Sequence, residues 1–100
     1  MKYGLSEQDF SMINSVFLKN KKIELVKIFG SRAKGNYRYN SDIDLVIEGE
    51  ISDIESQLIL SELDELPLPY IFDIKVLNNI NNADLIEHTK RVGKLIYIKK

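Results

Sequence analysis

Asp42 and Asp44 stand one residue apart in Ser41-Asp42-Ile43-Asp44-Leu45, and twelve residues before Asp42 lies the pair Gly30-Ser31. On a strand, carboxylates at i and i+2 share a face, with Cα atoms roughly 6.5 Å apart. Two ionised groups that close repel each other, which raises one pKa unless a cation neutralises them. Mg²⁺, a hard ion that takes oxygen ligands, suits such a pair. Upstream, Gly30 lets the backbone approach a phosphate. The amides of such a turn attract an anion, and Ser31 adds a hydroxyl donor. Each feature also has an ordinary explanation: a solvated acidic pair opening an edge strand, and a glycine that ends a strand. Both together at this spacing point to a corner that holds a phosphate and a metal.

The rest of the chain must position that corner. Ser6, followed by Asp9 and by Phe10, Ile13 and Phe17 at helical spacing, predicts a helix over 6–19. Residues 23–29 read as a buried inner strand that Gly30 stops. Residues 31–35 allow about one helical turn, 36–41 form a loop, and 42–47 form a second strand with Ile43, Leu45 and Ile47 facing the core. A turn follows at 48–50. Ile51, Ile54, Leu58, Ile59, Leu63 and Leu66 predict a second amphipathic helix over 52–65, capped by Ser52 or Asp53 and ended by Pro67 and Pro69. A third strand is expected over 70–77, a turn at 78–82, a short helix over 83–91 closed by Gly93, and a last strand over 95–98. The first two strands are too close in sequence for a crossover helix, so they pair antiparallel. The fold class is α/β (α+β), a small mixed sheet of about four strands with helices packed on it.

Size and composition narrow the chemistry. One hundred residues, 44% of them hydrophobic, make a single domain over 1–100. A net charge of -1 argues against a general nucleic-acid surface. With no cysteine and one histidine, His88, thiolate and multi-histidine metal sites are excluded and oxygen ligands remain. No apolar run approaches the ~20 residues that span a bilayer, and the polar N-terminus lacks a signal peptide's apolar stretch. The expectation is a cytoplasmic protein without membrane contact. His88 is assigned no role, and Lys19 to Lys22 read as a solvated helix end.

Gly30-Ser31-Arg32-Ala33-Lys34-Gly35 followed by Ser41-Asp42-Ile43-Asp44-Leu45 resembles the signature of the DNA polymerase β-type nucleotidyltransferase superfamily, and most of all its minimal nucleotidyltransferase (MNT) branch. The resemblance implies a nucleotidyltransferase fold and a third carboxylate on a later strand, for which Asp73 is the candidate. The ordinary alternative for Asp73 is a salt bridge to Lys75 or a neighbour. It further implies Mg²⁺, in a two-metal arrangement on Asp42, Asp44 and Asp73, with ATP or another NTP as substrate. Gly30 and Ser31 would cradle the β- and γ-phosphates. Arg32 would touch phosphate or pair structurally with an acidic neighbour. Lys34 and Arg38 are weaker, solvent-facing candidates. Tyr37 and Tyr39 would stack on a base, meet a partner, or cover the edge of the core.

The same resemblance implies a partner. Larger members hold the acceptor on a second domain, for which nothing after Asp73 leaves room. Minimal proteins of this kind resemble the MntA-like antitoxin half of HEPN/MNT toxin–antitoxin pairs. There the nucleotidyltransferase moves AMP onto a tyrosine of the helical HEPN toxin, in a hetero-oligomer and without direct nucleic-acid binding. Two alternatives stay open: a non-catalytic module that occludes a helical partner, and a transferase acting on an aminoglycoside-like hydroxyl.

Overall fold

The computed structural model describes residues 2–38, 40–77 and 82–99; Tyr39 and residues 78–81 of the expected turn lie outside them. The element order is α1 (Glu7–Lys19), β1 (Ile23–Phe29), α2 (Ser31–Lys34), β2 (Ile43–Gly49), α3 (Asp53–Asp64), β3 (Phe72–Val76), α4 (Ala83–Val92) and β4 (Lys94–Ile98). Both long helices start on reciprocal caps. The Ser6 hydroxyl accepts from the Asp9 amide and the Asp9 carboxylate accepts from the Ser6 amide, each at 3.1 Å, so aspartate does here what glutamate usually does. Ser52 and Glu55 repeat the arrangement at α3. The Ser52 amide and Lys22 hold the Glu55 carboxyl below its ordinary pKa.

The four strands form one sheet in the order β3-β2-β1-β4. β1 pairs antiparallel with β2, as the short connection requires, and also with β4. The β2–β3 pair is parallel, joined through α3, so the sheet is mixed. Ile43, Leu45 and Ile47 of β2 are buried with Val26, Ile28, Phe72 and Val76. Ile13, Val16 and Phe17 of α1 and Ile59 and Leu63 of α3 complete that core. Alternation turns Asp44 and Asp73 to the other face of the sheet, where Val46 is the buried neighbour on β2.

Three expectations change. β2 runs on to Gly49, which pairs with Ile23 across a bulge, so the strand covers part of the predicted 48–50 turn. A Cβ at Gly49 would collide with the Lys22 carbonyl, which is why glycine ends the strand. In α3 the inward stripe carries Ile59 and Leu63, whereas Ile54 and Leu58 are 73% and 60% exposed. Lys19 and Lys22 are exposed as expected, but they also pair with Glu62 (3.2 Å) and Glu55 (3.1 Å), tying the end of α1 to α3.

Candidate active site

The corner is built by the ends of β1 and β2. β1 leaves the sheet at Phe29, whose register partner is Asp44. Gly30 then turns with φ 75° and ψ -152°, a conformation that L side chains rarely adopt. α2 follows as a single turn, with Lys34 and Gly35 amides donating to the Gly30 and Ser31 carbonyls. No side chain caps its N-terminus, the end of a helix that faces anions. Gly35 closes the turn in the left-handed region, φ 87°. A Cβ on Gly30 would stand 2.5 Å from Asp44 Oδ2, so the glycine turn and the acidic strand touch.

Across the β2–β3 pair, Asp44 and Asp73 are register partners. Asp42 precedes β2 on the same face and is exposed. Burial, then the negative charges of Asp73 and Asp42, push the Asp44 carboxyl above its ordinary pKa, while Lys75 and Arg32 oppose them. The three aspartates therefore lie within electrostatic reach of one another. They are not closed into a cage: among the described residues no three carboxylate or imidazole side chains are drawn together tightly enough to hold a metal ion. The Asp73 carboxylate instead accepts from Lys75 Nζ at 3.3 Å, with 53% of the Asp73 side chain exposed.

The sequence expectation for Asp73 weighed a metal-ligand role against this salt bridge. The bridge is present and both side chains are about half exposed, so no burial penalty forces a partner on the charge. An exposed pair of this kind contributes at most about 1 kcal/mol and yields readily to a stronger counter-ion. The donor set is chemically suited to a divalent hard cation: oxygen ligands only, with Asp73 and Asp42 near enough to add to burial in raising the Asp44 pKa.

Arg32 makes structural contacts to backbone carbonyls. Arg32 is 1% exposed. Its Nε and Nη2 donate to the Ser41 carbonyl at 3.2 and 2.7 Å, and Nη1 donates to the Tyr3 carbonyl at 2.9 Å. The rings of Tyr37 and Tyr70 lie over the guanidinium with centroids 5.4 and 5.0 Å away. Tyr37 thus covers a buried charge, and Lys34 and Arg38 are exposed as expected. Tyr70 only opened the expected third strand, and Tyr3 and Gly4 had no assigned role. The one signal for them was local: Tyr3-Gly4 makes the two-residue turn of a small hairpin, both with positive φ, closed by Lys2–Leu5 hydrogen bonds of 3.2 and 2.8 Å.

Residues 11–100 match the sequence model of the polymerase beta nucleotidyltransferase domain. No curated protein sequence matches the chain. Among solved structures, a toxin–antitoxin with AMP-PNP superposes with a TM-score of 0.76 at 22% identity, covering 92% of this chain and 75% of that one. The toxin–antitoxin MntA-HepT gives 0.70 at 20% identity, over 94% and 74% of the two chains. A tri-AMPylated Shewanella oneidensis HEPN toxin in complex with MNT antitoxin gives 0.71 at 18% identity, over 95% and 74%. At these identities the likeness is one of fold. No helix among the described residues is long and apolar enough to cross a membrane.

Proposed function

The chain belongs to the polymerase β nucleotidyltransferase family, and from that premise we propose that it transfers the nucleoside monophosphate of an NTP, AMP from ATP, to a tyrosine hydroxyl of a HEPN-type toxin and so acts as its antitoxin. The observation that carries the chemistry is the register pairing of Asp44 with Asp73 beside the Gly30 turn. It gathers acidic oxygens next to a glycine turn suited to phosphate. The observation that carries the partner is the set of toxin–antitoxin complexes sharing this fold, one of them AMPylated.

In this reading Gly30 and the Ser31 amide and hydroxyl hold the β- and γ-phosphates. Asp42, Asp44 and Asp73 would hold Mg²⁺, which when bound neutralises phosphate charge and lowers the pKa of a bound hydroxyl. The acceptor oxygen attacks the α-phosphorus, the α–β phosphoanhydride bond breaks, and pyrophosphate leaves. Asp73, on β3 with its side chain about half exposed, takes the acceptor proton. Arg32 stays in the scaffold.

A second reading, occlusion of the toxin without catalysis, draws support from the Asp73–Lys75 ion pair and from the open arrangement of the three aspartates. Incubation with a HEPN partner, Mg²⁺ and ATP labelled on its α-phosphate separates the two. Label on the partner, lost in Asp42→Asn/Asp44→Asn, supports transfer. Full neutralisation of the toxin by that double variant, with no label moved by the wild type, supports occlusion.

A further inference from the structure

We propose that Arg32 is a positioning residue that fixes the start of β2, and with it Asp42 and Asp44, against the glycine turn. It rests on the transfer reading only for what the positioned groups then do. Arg32 belongs to the helical turn that Gly30 opens, and its guanidinium reaches the carbonyl of Ser41, the residue directly before Asp42, with two of its nitrogens. Nη1 anchors the same group to the Tyr3 carbonyl of the N-terminal hairpin. One rigid fork therefore spans three chain segments: the turn, the strand start and the hairpin.

The loop between turn and strand has its own tie at the same residue. The Arg38 amide donates to Ser41 Oγ at 2.8 Å and the Ser41 amide donates to the Arg38 carbonyl at 3.0 Å. All three polar groups of Ser41 are thus engaged, and the strand begins at a residue with little freedom to shift. One residue beyond Asp42, the Ile43 amide donates to the Ile71 carbonyl at 2.8 Å, the first rung that sets β2 against β3 and so Asp44 against Asp73. Gly4 is shaped to this arrangement as well: a Cβ there would stand 2.7 Å from Arg32 Nη1 and 2.6 Å from Tyr37 Cε2.

Lysine cannot copy the fork, because a single ammonium is a point donor and two carbonyls on different segments need a planar, multi-donor group. Burial strengthens the requirement. Beneath the Tyr37 and Tyr70 rings these hydrogen bonds are shielded from water, and charged hydrogen bonds in such places are among the more costly to lose.

Amide hydrogen exchange on Arg32→Lys tests the proposal, with Mn²⁺ titration as a second readout and Ile59→Val as a destabilised core variant for comparison. Exchange at the Ile43 amide should quicken about tenfold, as for the loss of one charged hydrogen bond, with the Ile28 and Ile47 amides unchanged. Mn²⁺ affinity should fall in Arg32→Lys and hold in Ile59→Val. Should Arg32→Lys not fold, Tyr37→Leu, which opens the guanidinium to water, should quicken the same amide by a smaller factor. An unchanged Ile43 amide in a folded variant, or exchange rising evenly across the sheet, overturns the proposal. A wild-type protein that binds no Mn²⁺ overturns the transfer reading instead, and the exchange data still decide the role of Arg32.

Discussion

Gly30 faces the Asp44 carboxylate so closely that a methyl group on the glycine would sit 2.5 Å from Oδ2. The glycine is held at φ 75°, so a side chain there meets backbone strain as well as a clash. Gly30→Ala should lower stability by about 1–3 kcal/mol, the range for a non-glycine residue held in such a region. In a domain this size that is roughly 4–8 °C of Tm per kcal/mol. It should also displace Asp44 and weaken Mn²⁺ binding. Thermal denaturation and Mn²⁺ titration check both effects, and Gly35→Ala is the control: its φ is also positive, but a Cβ there meets open space, so it should cost stability alone.

Asp44 sits where folding opposes its charge. Burial and the charges of Asp73 and Asp42 raise its pKa in the folded protein. A carboxyl with a raised folded pKa contributes its full stabilisation below the ordinary value of 3.8 and loses it as pH rises through the folded value. At pH 7 without divalent cations, ionised Asp44 therefore destabilises the fold. Asp44→Asn should raise the denaturation midpoint in EDTA at pH 7, and the gain should vanish below the ordinary carboxylate pKa. The same substitution should abolish any stabilisation by Mg²⁺. An Asp44→Asn protein less stable than wild type in EDTA at neutral pH would show that burial and repulsion of the charge do not govern stability there.

Lys75 competes with a cation for Asp73. Their ion pair is exposed and worth at most about 1 kcal/mol, so Lys75→Met should leave folding nearly unchanged. Freed of the ammonium, Asp73 should accept a divalent ion more readily, with Mn²⁺ binding tightened by up to about fivefold. Calorimetric titration at low ionic strength reads the effect best, because salt screens exposed charges. A weaker Mn²⁺ affinity in Lys75→Met would mean that Lys75 orients Asp73 rather than occupying it.

The sheet was legible because its signals are local and repeated. β1 keeps its predicted bounds, since Gly30 stops an apolar run at a definite residue, and the short gap between β1 and β2 forced their antiparallel pairing. The Gly30, Asp42 and Asp44 corner was legible for the same reason: alternation fixes which face two neighbouring carboxylates share. The hydrogen bonds from Arg32 to the carbonyls of Tyr3 and Ser41 were not. A backbone carbonyl carries no residue-type signature, and Tyr3 lies 29 positions away. The exposure of Asp73 was hidden for a related reason: sequence marks a charge amid apolar residues but not which face of the sheet lies open to solvent.

The second long helix illustrates the same limit at the level of packing, and it gives the last test. α3 carries apolar residues on two sides, Ile54 and Leu58 on one and Ile59 and Leu63 on the other, so periodicity alone admits either face. The structure selects the second: Leu63 is fully buried and Leu58 is 60% exposed. Leu63→Ala should cost about 2–5 kcal/mol through lost transfer energy and the cavity left behind. Leu58→Ala should change stability by no more than about 0.5 kcal/mol, since it deletes no buried contact. Urea denaturation of the two variants compares like with like, as the substitution is the same and so is the helix. Equal losses would show that Leu58 is covered in solution, by a second copy or by a segment packed on that side of α3, and would move the free surface of the domain elsewhere.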